Sequence, residues 1–324
     1  MTSKSHKTIV EPAVQLFILS RDRQSLCREA VKSAVSQSYG NYEVIVSDNS
    51  TNDNVAEMIK SEFPNVTLIK RRPNLSALDH FNRLIEEAHA PYTVLFHDDD
   101  ILETHYISRM MQHFSRHTGV AAIGANACLI LDERRTTEPL MGNFVGARVI
   151  NRPIDLVEPY MGLGLVDPAP FPGYMYRTEK IKGLSLDANH GGKHSDVSFL
   201  CQILTRAPLL WIDERLFNYR IHSGNDSRSE SIGDRLSWVR FILKTTAVNR
   251  RSRAIFDYKF IYWRRWLLQN SVRNRQHKST GVALSHRYSV GRHFVLKHGL
   301  RLAFSRADFW RRTWRLLRRK WQYR

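Results

Sequence analysis

Over its first two hundred residues the chain alternates short apolar runs, rich in β-branched residues, with segments of helical period. That alternation predicts an α/β fold with a mainly parallel central sheet. Each strand of such a sheet is buried on both faces, and each covering helix buries one stripe. Strands are predicted at Val14–Ser20, Glu43–Asn49, Thr67–Arg71 and Thr93–Asp98. Leu78, Phe81, Leu84, Ile85 and Ala88 make one helical face, and Ile107, Met110, Met111 and Phe114 another, at i, i+3, i+4, i+7. Both stripes read as core.

From Ala127 to Gly192 the periodicity weakens while proline and glycine accumulate (Pro153, Pro159, Pro168, Pro170, Pro172, Gly173), which predicts long loops over one face. A helix at Ser195–Arg206 and a strand near Leu209–Tyr219 then close a first domain, 1–231. Beyond it, 232–324 is a basic, aromatic-rich helical extension in which acidic residues nearly vanish after Asp257. Its last stretch, Phe309–Arg324, sets Trp310, Trp314, Leu317 and Trp321 on one face with arginines around them. Indoles at headgroup depth and guanidinium groups on lipid phosphates are what such a helix offers a membrane surface. The bland reading is a basic helix packed on the first domain.

Composition narrows the classes. At 324 residues and 42% apolar the chain supplies a proper core. Cys27, Cys128 and Cys201 lie far apart with no CxxC pair, which argues against a disulfide framework or a thiolate zinc site. The polar opening from Met1 to Glu11 lacks a signal-peptide pattern, and no apolar run approaches the roughly 20 residues that span a bilayer. A cytoplasmic protein is expected, peripheral on the inner face of the cell membrane. The formal net charge of +18 calls for an anionic partner, membrane surface or nucleic acid. The tryptophan stripe favours the membrane, and no nucleic acid is expected.

The chemistry concentrates in Phe96-His97-Asp98-Asp99-Asp100, where an apolar strand runs out into a loop. Adjacent carboxylates repel one another and call for a cation or a strong hydrogen-bond network. Carboxylate oxygens completed by a diphosphate and water suit Mn²⁺ or Mg²⁺. A helix N-terminus capped by Asp98–Asp100 is the structural alternative. Val46-Ser47-Asp48-Asn49-Ser50 ends a second strand in a polar turn. Ligands of a doubly wound sheet bind beyond the carboxyl ends of its strands, so Asp48 and Asp99 are expected on one crevice. Gly191-Gly192-Lys193-His194 offers a flexible, positive loop, but no phosphate-binding Gly-x-x-x-x-Gly-Lys-Ser/Thr spacing exists.

Several ordered pieces resemble the family 2 glycosyltransferases over about Val14 to Ser227. They are Ile18-Leu19-Ser20-Arg21-Asp22, Ser36-Gln37-Ser38-Tyr39, Val46 to Asp53, Arg72-Pro73-Asn74, His97-Asp98-Asp99-Asp100, Ser195-Asp196 and Tyr219-Arg220-Ile221-His222. The resemblance implies a GT-A type, Rossmann-like fold and an inverting, metal-dependent transfer from a nucleotide sugar, a UDP-sugar first, to an acceptor hydroxyl. It implies that Ser20, Asp22, Asp48 and Asn74 hold the nucleotide sugar, that Arg220 pairs with its diphosphate, and that Asp99 is the principal metal ligand of a DxD-type motif. Asp100 and His222 complete the metal set. His97 stands where the family's first Asp does, so Asp98 takes over the ribose contact. Asp196, from a pair that is usually Glu-Asp and here reads Ser195-Asp196, is the general base, with His194 second.

The helical tail suggests a saccharide or lipid-linked saccharide acceptor in cell-surface polysaccharide synthesis. Two other classes stay in view. A sugar nucleotidyltransferase also needs a nucleotide sheet and carboxylates, but wants a glycine-rich triphosphate loop that Ile18–Gln24 lacks. A nucleic-acid-binding protein explains the charge, but not carboxylates clustered at strand ends.

Overall fold

The computed structural model describes residues 13–131, 133–141, 145–160, 171–222 and 232–245. The tail at 309–324 lies outside the described residues. Four strands, β1 (Val14–Ser20), β2 (Tyr42–Asp48), β3 (Thr67–Lys70) and β4 (Tyr92–His97), form the parallel half of the sheet in the order β3-β2-β1-β4. All seven residues of β1 are buried. Unbroken burial, not alternation, is what a central strand covered on both faces requires.

Helices α1 (Gln24–Val35), α2 (Asn54–Glu62) and α3 (Ala77–Glu87) connect these strands. Cys27, Ala30, Val31 and Ala34 of α1 sink into the core at helical spacing. Burial drives the Cys27 thiol up to about 12, so it stays protonated, and all three cysteines are free. On α3 the inward face is Leu84 and Ile85 with His80, while Leu78 and Phe81 are half-buried. Helix α4 (Tyr106–Arg116) buries Ile107, Met110 and Phe114 as the periodicity predicts, with Met111 half-buried beside them.

The strand order sets where a ligand can enter. From β1 the chain winds outward through β2 to β3, then returns across β1 to place β4 on its other side. The switch in winding direction opens a crevice at the carboxyl ends of β1 and β4. Ser20 and His97 end those two strands.

The second half of the sheet is mixed. A short β5 (Ile101–Leu102) precedes β6 (Ala122–Leu131), β7 (Arg134–Pro139) and β8 (Ala147–Ile150). After α5 (Pro153–Tyr160) come β9 (Tyr174–Arg177), a short α6 (Thr178–Ile181), α7 (Ser195–Ile203) and β10 (Leu209–Ile221). Strand β9 runs antiparallel between β4 and β6, and β10 runs parallel to β6. The segment from Ala127 onward is thus more regular than the expected loops. Strand β6 alternates too little to register as a strand, because eight of its ten residues are fully buried.

A last helix, α8 (Ile232–Thr245), opens the segment that the sequence assigns to the extension. Its Trp238 is fully buried, stacks on Phe241 at 5.9 Å and meets Tyr160 and His194 at 5.7 and 5.8 Å. At least this turn of the basic region packs on the α/β domain.

Gly173, just before β9, has no room for a side chain. A Cβ there would lie 2.6 Å from the Phe217 ring and 2.7 Å from the carbonyl oxygen of Ala125. Gly173→Ala is expected to lower unfolding stability by about 1–3 kcal/mol. An unchanged midpoint in urea titration would contradict that packing.

Candidate active site

The loops beyond β1 and β2 are stitched together. Ser20 Oγ donates to Asp98 Oδ2 at 2.8 Å, and the Ser20 carbonyl accepts from Asn49 N. Asp22 adopts a left-handed backbone, φ 56°, and its Oδ1 accepts from Thr51 N at 2.8 Å, Thr51 Oγ1 at 3.0 Å and Asn52 Nδ2 at 3.2 Å. Asn74 Nδ2 donates to the carbonyls of Asn49 and Ser50 at 2.7 and 3.2 Å. Asp48 is fully buried: Oδ1 accepts from Ser50 N at 2.9 Å, and Oδ2 has no hydrogen-bond partner among the described residues. Asp22 and Asn74 are the exposed members of this group, while Ser20 and Asp48 shape the turns from within.

A buried network props the end of β2. Ser47 Oγ lies 2.7 Å from His80 Nε2 and accepts from Arg71 Nε at 2.8 Å, and Arg71 forks onto Glu87 at 2.7 and 2.6 Å. Burial, reinforced by Arg71, depresses His80 to about 4, so the ring is neutral there. Periodicity marks none of these residues, since each looks like an ordinary surface polar residue in sequence.

At the exit of β4, Asp98 parts from the residues on either side of it. Asp98 turns toward β1, fully buried. It accepts from Ser20 Oγ and from Arg21 N at 3.2 Å, and pairs through Oδ1 with Arg23 at 2.7 Å. Burial raises its carboxyl to about 6 despite Arg23 and Ser20. In this structure the oxygens of Asp98, the residue expected at the ribose, meet Ser20, Arg21 and Arg23, and it fastens the β4 loop to β1.

His97, Asp99 and Asp100 come together instead, each offering a ligand atom within 4.8 Å of the others. Asp99 Oδ2 also meets Arg23 at 2.6 Å and His222 Nε2 at 3.1 Å. Burial works to raise the Asp99 carboxyl, but His97, Arg23 and His222 together outweigh it and hold it below the ordinary range. Asp100 is pushed well above that range by burial and by Asp99. Its Oδ1 accepts from Arg220 N at 2.9 Å, and its Oδ2 has no hydrogen-bond partner among the described residues.

These residues fit a divalent cation. Two hard carboxylates, one with a buried oxygen left unbonded, stand beside an imidazole. The expected set of Asp99, Asp100 and His222 is thereby rearranged, with His97 in the cluster and His222 alongside on Asp99. The i, i+2 relation of His97 and Asp99 at a strand end could have shown this from sequence.

Arg220, expected on the diphosphate, sits inside the protein. Its side chain is 3% exposed and donates to the Asp99 carbonyl at 3.0 Å and to Glu29 at 2.6 Å, with a further ion pair to Glu133. A guanidinium so enclosed braces the acidic loop. Arg23, which bridges Asp98 and Asp99, is the cation on the crevice that sequence reasoning missed.

Asp196 opens α7 and is half-buried, with Oδ1 accepting from its neighbour Val197 N at 2.8 Å. Burial raises its carboxyl, opposed by that hydrogen bond and by His194 and His97. The loop before α7 turns through Gly191 (φ 142°) and Gly192 (φ 58°), and His194 Nδ1 lies 2.7 Å from the Tyr160 hydroxyl. Gly192 admits α8: a Cβ there would lie 2.8 Å from Asp234 Cα, and Lys193 N donates to Asp234 Oδ1 at 3.1 Å.

The comparisons with known proteins agree with this geometry. Residues 12–154 match the family described as glycosyltransferase like family 2. Over these residues the chain is similar to that family. Among solved structures, the chain is similar to S. aureus TarS 1-349 in complex with UDP-GlcNAc: TM-score 0.55 and 13% identity, covering 72% of this chain and 68% of that one. The complex of TarS 1-349 with UDP gives a TM-score of 0.51 at 12% identity, over 76% and 79% of the two chains. A longer TarS structure gives 0.53 at 14% identity, and the match covers only 40% of it. These likenesses establish the GT-A fold. No curated protein matches the sequence.

Asp98 generates a pH prediction. Its folded value, about 6, lies above its ordinary 3.8, so folding takes up a proton between them and this contribution to stability is lost as pH rises through about 6. Asp98→Asn, which cannot titrate, is expected to cost about 1.4 kcal/mol more at pH 5 than at pH 7.5. Denaturant midpoints of both proteins at the two pH values check this, and equal costs would refute it.

Proposed function

We propose that the domain transfers a sugar from a nucleoside-diphosphate sugar, a UDP-sugar first, to an acceptor hydroxyl with inversion at the anomeric carbon. The observation that carries this reading is the meeting of His97, Asp99 and Asp100 at the end of β4, beside the switch between β1 and β4. In this reading Asp196, at the start of α7, supplies the carboxylate that takes a proton. The UDP and UDP-GlcNAc bound in the similar TarS structures support the donor class.

Asp22 and Asn74, exposed on the joined turns after β1 and β3, would receive the nucleoside. Asp48 presents its unbonded Oδ2 from within the same turn. His97, Asp99 and Asp100, with His222 alongside, would hold Mn²⁺ or Mg²⁺. Bound there, the cation neutralises charge on the leaving diphosphate as a Lewis acid. Arg23 adds a second positive group on the same side of the crevice.

Asp196 takes the proton of the acceptor hydroxyl as its oxygen attacks the face opposite the diphosphate. Burial makes its carboxylate a stronger base than an exposed one, as a group working near neutral pH requires. A single in-line displacement of this kind needs no covalent sugar-enzyme intermediate.

We infer further that the acceptor is a saccharide or lipid-linked saccharide of a cell-surface polysaccharide, met at the cytoplasmic face of an anionic membrane. The support is the sequence of the basic, tryptophan-striped stretch 309–324. Among the described residues no helix is long and apolar enough to cross a membrane.

Calorimetric titration with UDP, GDP and dTDP, with and without Mn²⁺, tests the donor site. Metal-dependent binding of UDP, lost in Asp99→Ala, is expected. Asp196→Asn is expected to keep UDP binding within about twofold while slowing turnover of a UDP-sugar at least about 100-fold. If no nucleotide binds under any condition, the reading fails.

A further inference from the structure

Position 97 distinguishes this site. The family resemblance puts an Asp there, and this chain has a histidine whose ring joins the cluster. Resting on the donor-site reading above, we propose that His97 is a direct metal ligand, and that its imidazole tunes the site toward Mn²⁺ and similar transition ions over Mg²⁺.

Three observations carry this. His97 is the last residue of β4, so its Cα is fixed by pairing with Leu19 of β1. The Phe81 ring, edge-on at 5.7 Å and 65°, packs on the imidazole, and Phe171 packs on Phe81 in turn at 5.5 Å. The ring is therefore held by apolar neighbours while a nitrogen lies within 4.8 Å of oxygens from both Asp99 and Asp100. Third, Asp100 is 1% exposed and its Oδ2 lacks a hydrogen-bond partner among the described residues. A buried carboxylate oxygen left unbonded is costly unless something positive meets it.

Ligand chemistry then sets the preference. With a neutral imidazole in place of a third carboxylate, the cluster carries two formal negative charges at most, which weakens the purely electrostatic hold that Mg²⁺ depends on. Imidazole nitrogen is a softer donor than carboxylate oxygen, and transition ions accept it more readily. His222, beside Asp99, adds a second imidazole to the same neighbourhood.

The test is pulsed electron paramagnetic resonance of the full chain with Mn²⁺ and UDP, joined to competitive binding of Mn²⁺ and Mg²⁺. Directly bound nitrogen is expected in the unaltered protein, retained in His222→Asn and lost in His97→Asp. The Mn²⁺ over Mg²⁺ preference is expected to fall about tenfold or more in His97→Asp. His97→Gln serves as a second variant, checked by circular dichroism, should the carboxylate disturb the loop. A nitrogen signal absent from the unaltered protein, or lost only in His222→Asn, overturns the assignment, as does an unchanged metal preference. If the unaltered protein shows no metal-dependent UDP binding at all, the donor-site reading fails instead.

Discussion

The site depends on keeping three consecutive, buried carboxylates at one strand end. Asp98, Asp99 and Asp100 repel one another, and burial adds to the cost of ionising each. Two arginines make the arrangement tenable from opposite sides. Arg23, from the loop before α1, bridges Asp98 and Asp99, and Arg220, near the end of β10, donates from its guanidinium to the main-chain carbonyl of Asp99 and from its backbone amide to the Asp100 carboxylate. These partners come from opposite ends of the domain, 197 positions apart in the chain. The acidic loop can therefore take its shape only when both halves of the sheet are assembled.

That compensation is deliberately incomplete in charge terms. Asp98 is fully engaged and serves the fold, whereas Asp100 keeps an unbonded oxygen and Asp99 a partner on its exposed side. Arg23 is about one third exposed, so its hold on Asp99 is the one that solvent and ligand can reach. A cation entering the cluster meets a carboxylate already held ionised by its surroundings. It would compete for Asp99 Oδ2 with Arg23, whose other terminal nitrogen is held by Asp98.

Much of this was legible in sequence, and the remainder was hidden for identifiable reasons. The parallel strands announced themselves as apolar runs, and the carboxylates as a cluster at a strand end. Which side chains gather beyond β4 was not legible: His97 joins Asp99 and Asp100, while Asp98 turns toward β1. Arg220 was misread because its spacing within a motif says nothing of burial; Glu29 and Glu133, its partners, are distant in sequence. Strand β6 was hidden for the opposite reason: its one polar residue, Asn126, is itself buried, so no polar alternation marked its period. The Ser47–His80–Arg71–Glu87 network had no sequence signal at all, since only the fold brings those residues together.

The basic segment after the last strand raises a final point about how the site is held. Helix α8 lies against the loop that presents Asp196, through Trp238 on His194 and Tyr160 and through Asp234 on the Lys193 amide. Two consecutive glycines with positive φ let that loop approach the helix closely. Strand β10 ends at Ile221, next to His222, and α8 follows ten residues later, so one stretch of chain carries both a group beside the cluster and the clamp on the base. Anything that moves α8 would then move Asp196 relative to His97 and Asp99. Because a base must lie within hydrogen-bond reach of its acceptor hydroxyl, even an ångström of displacement matters to the reaction. The start of the basic region is in this sense part of the active-site architecture, whatever surface the remainder of that region meets.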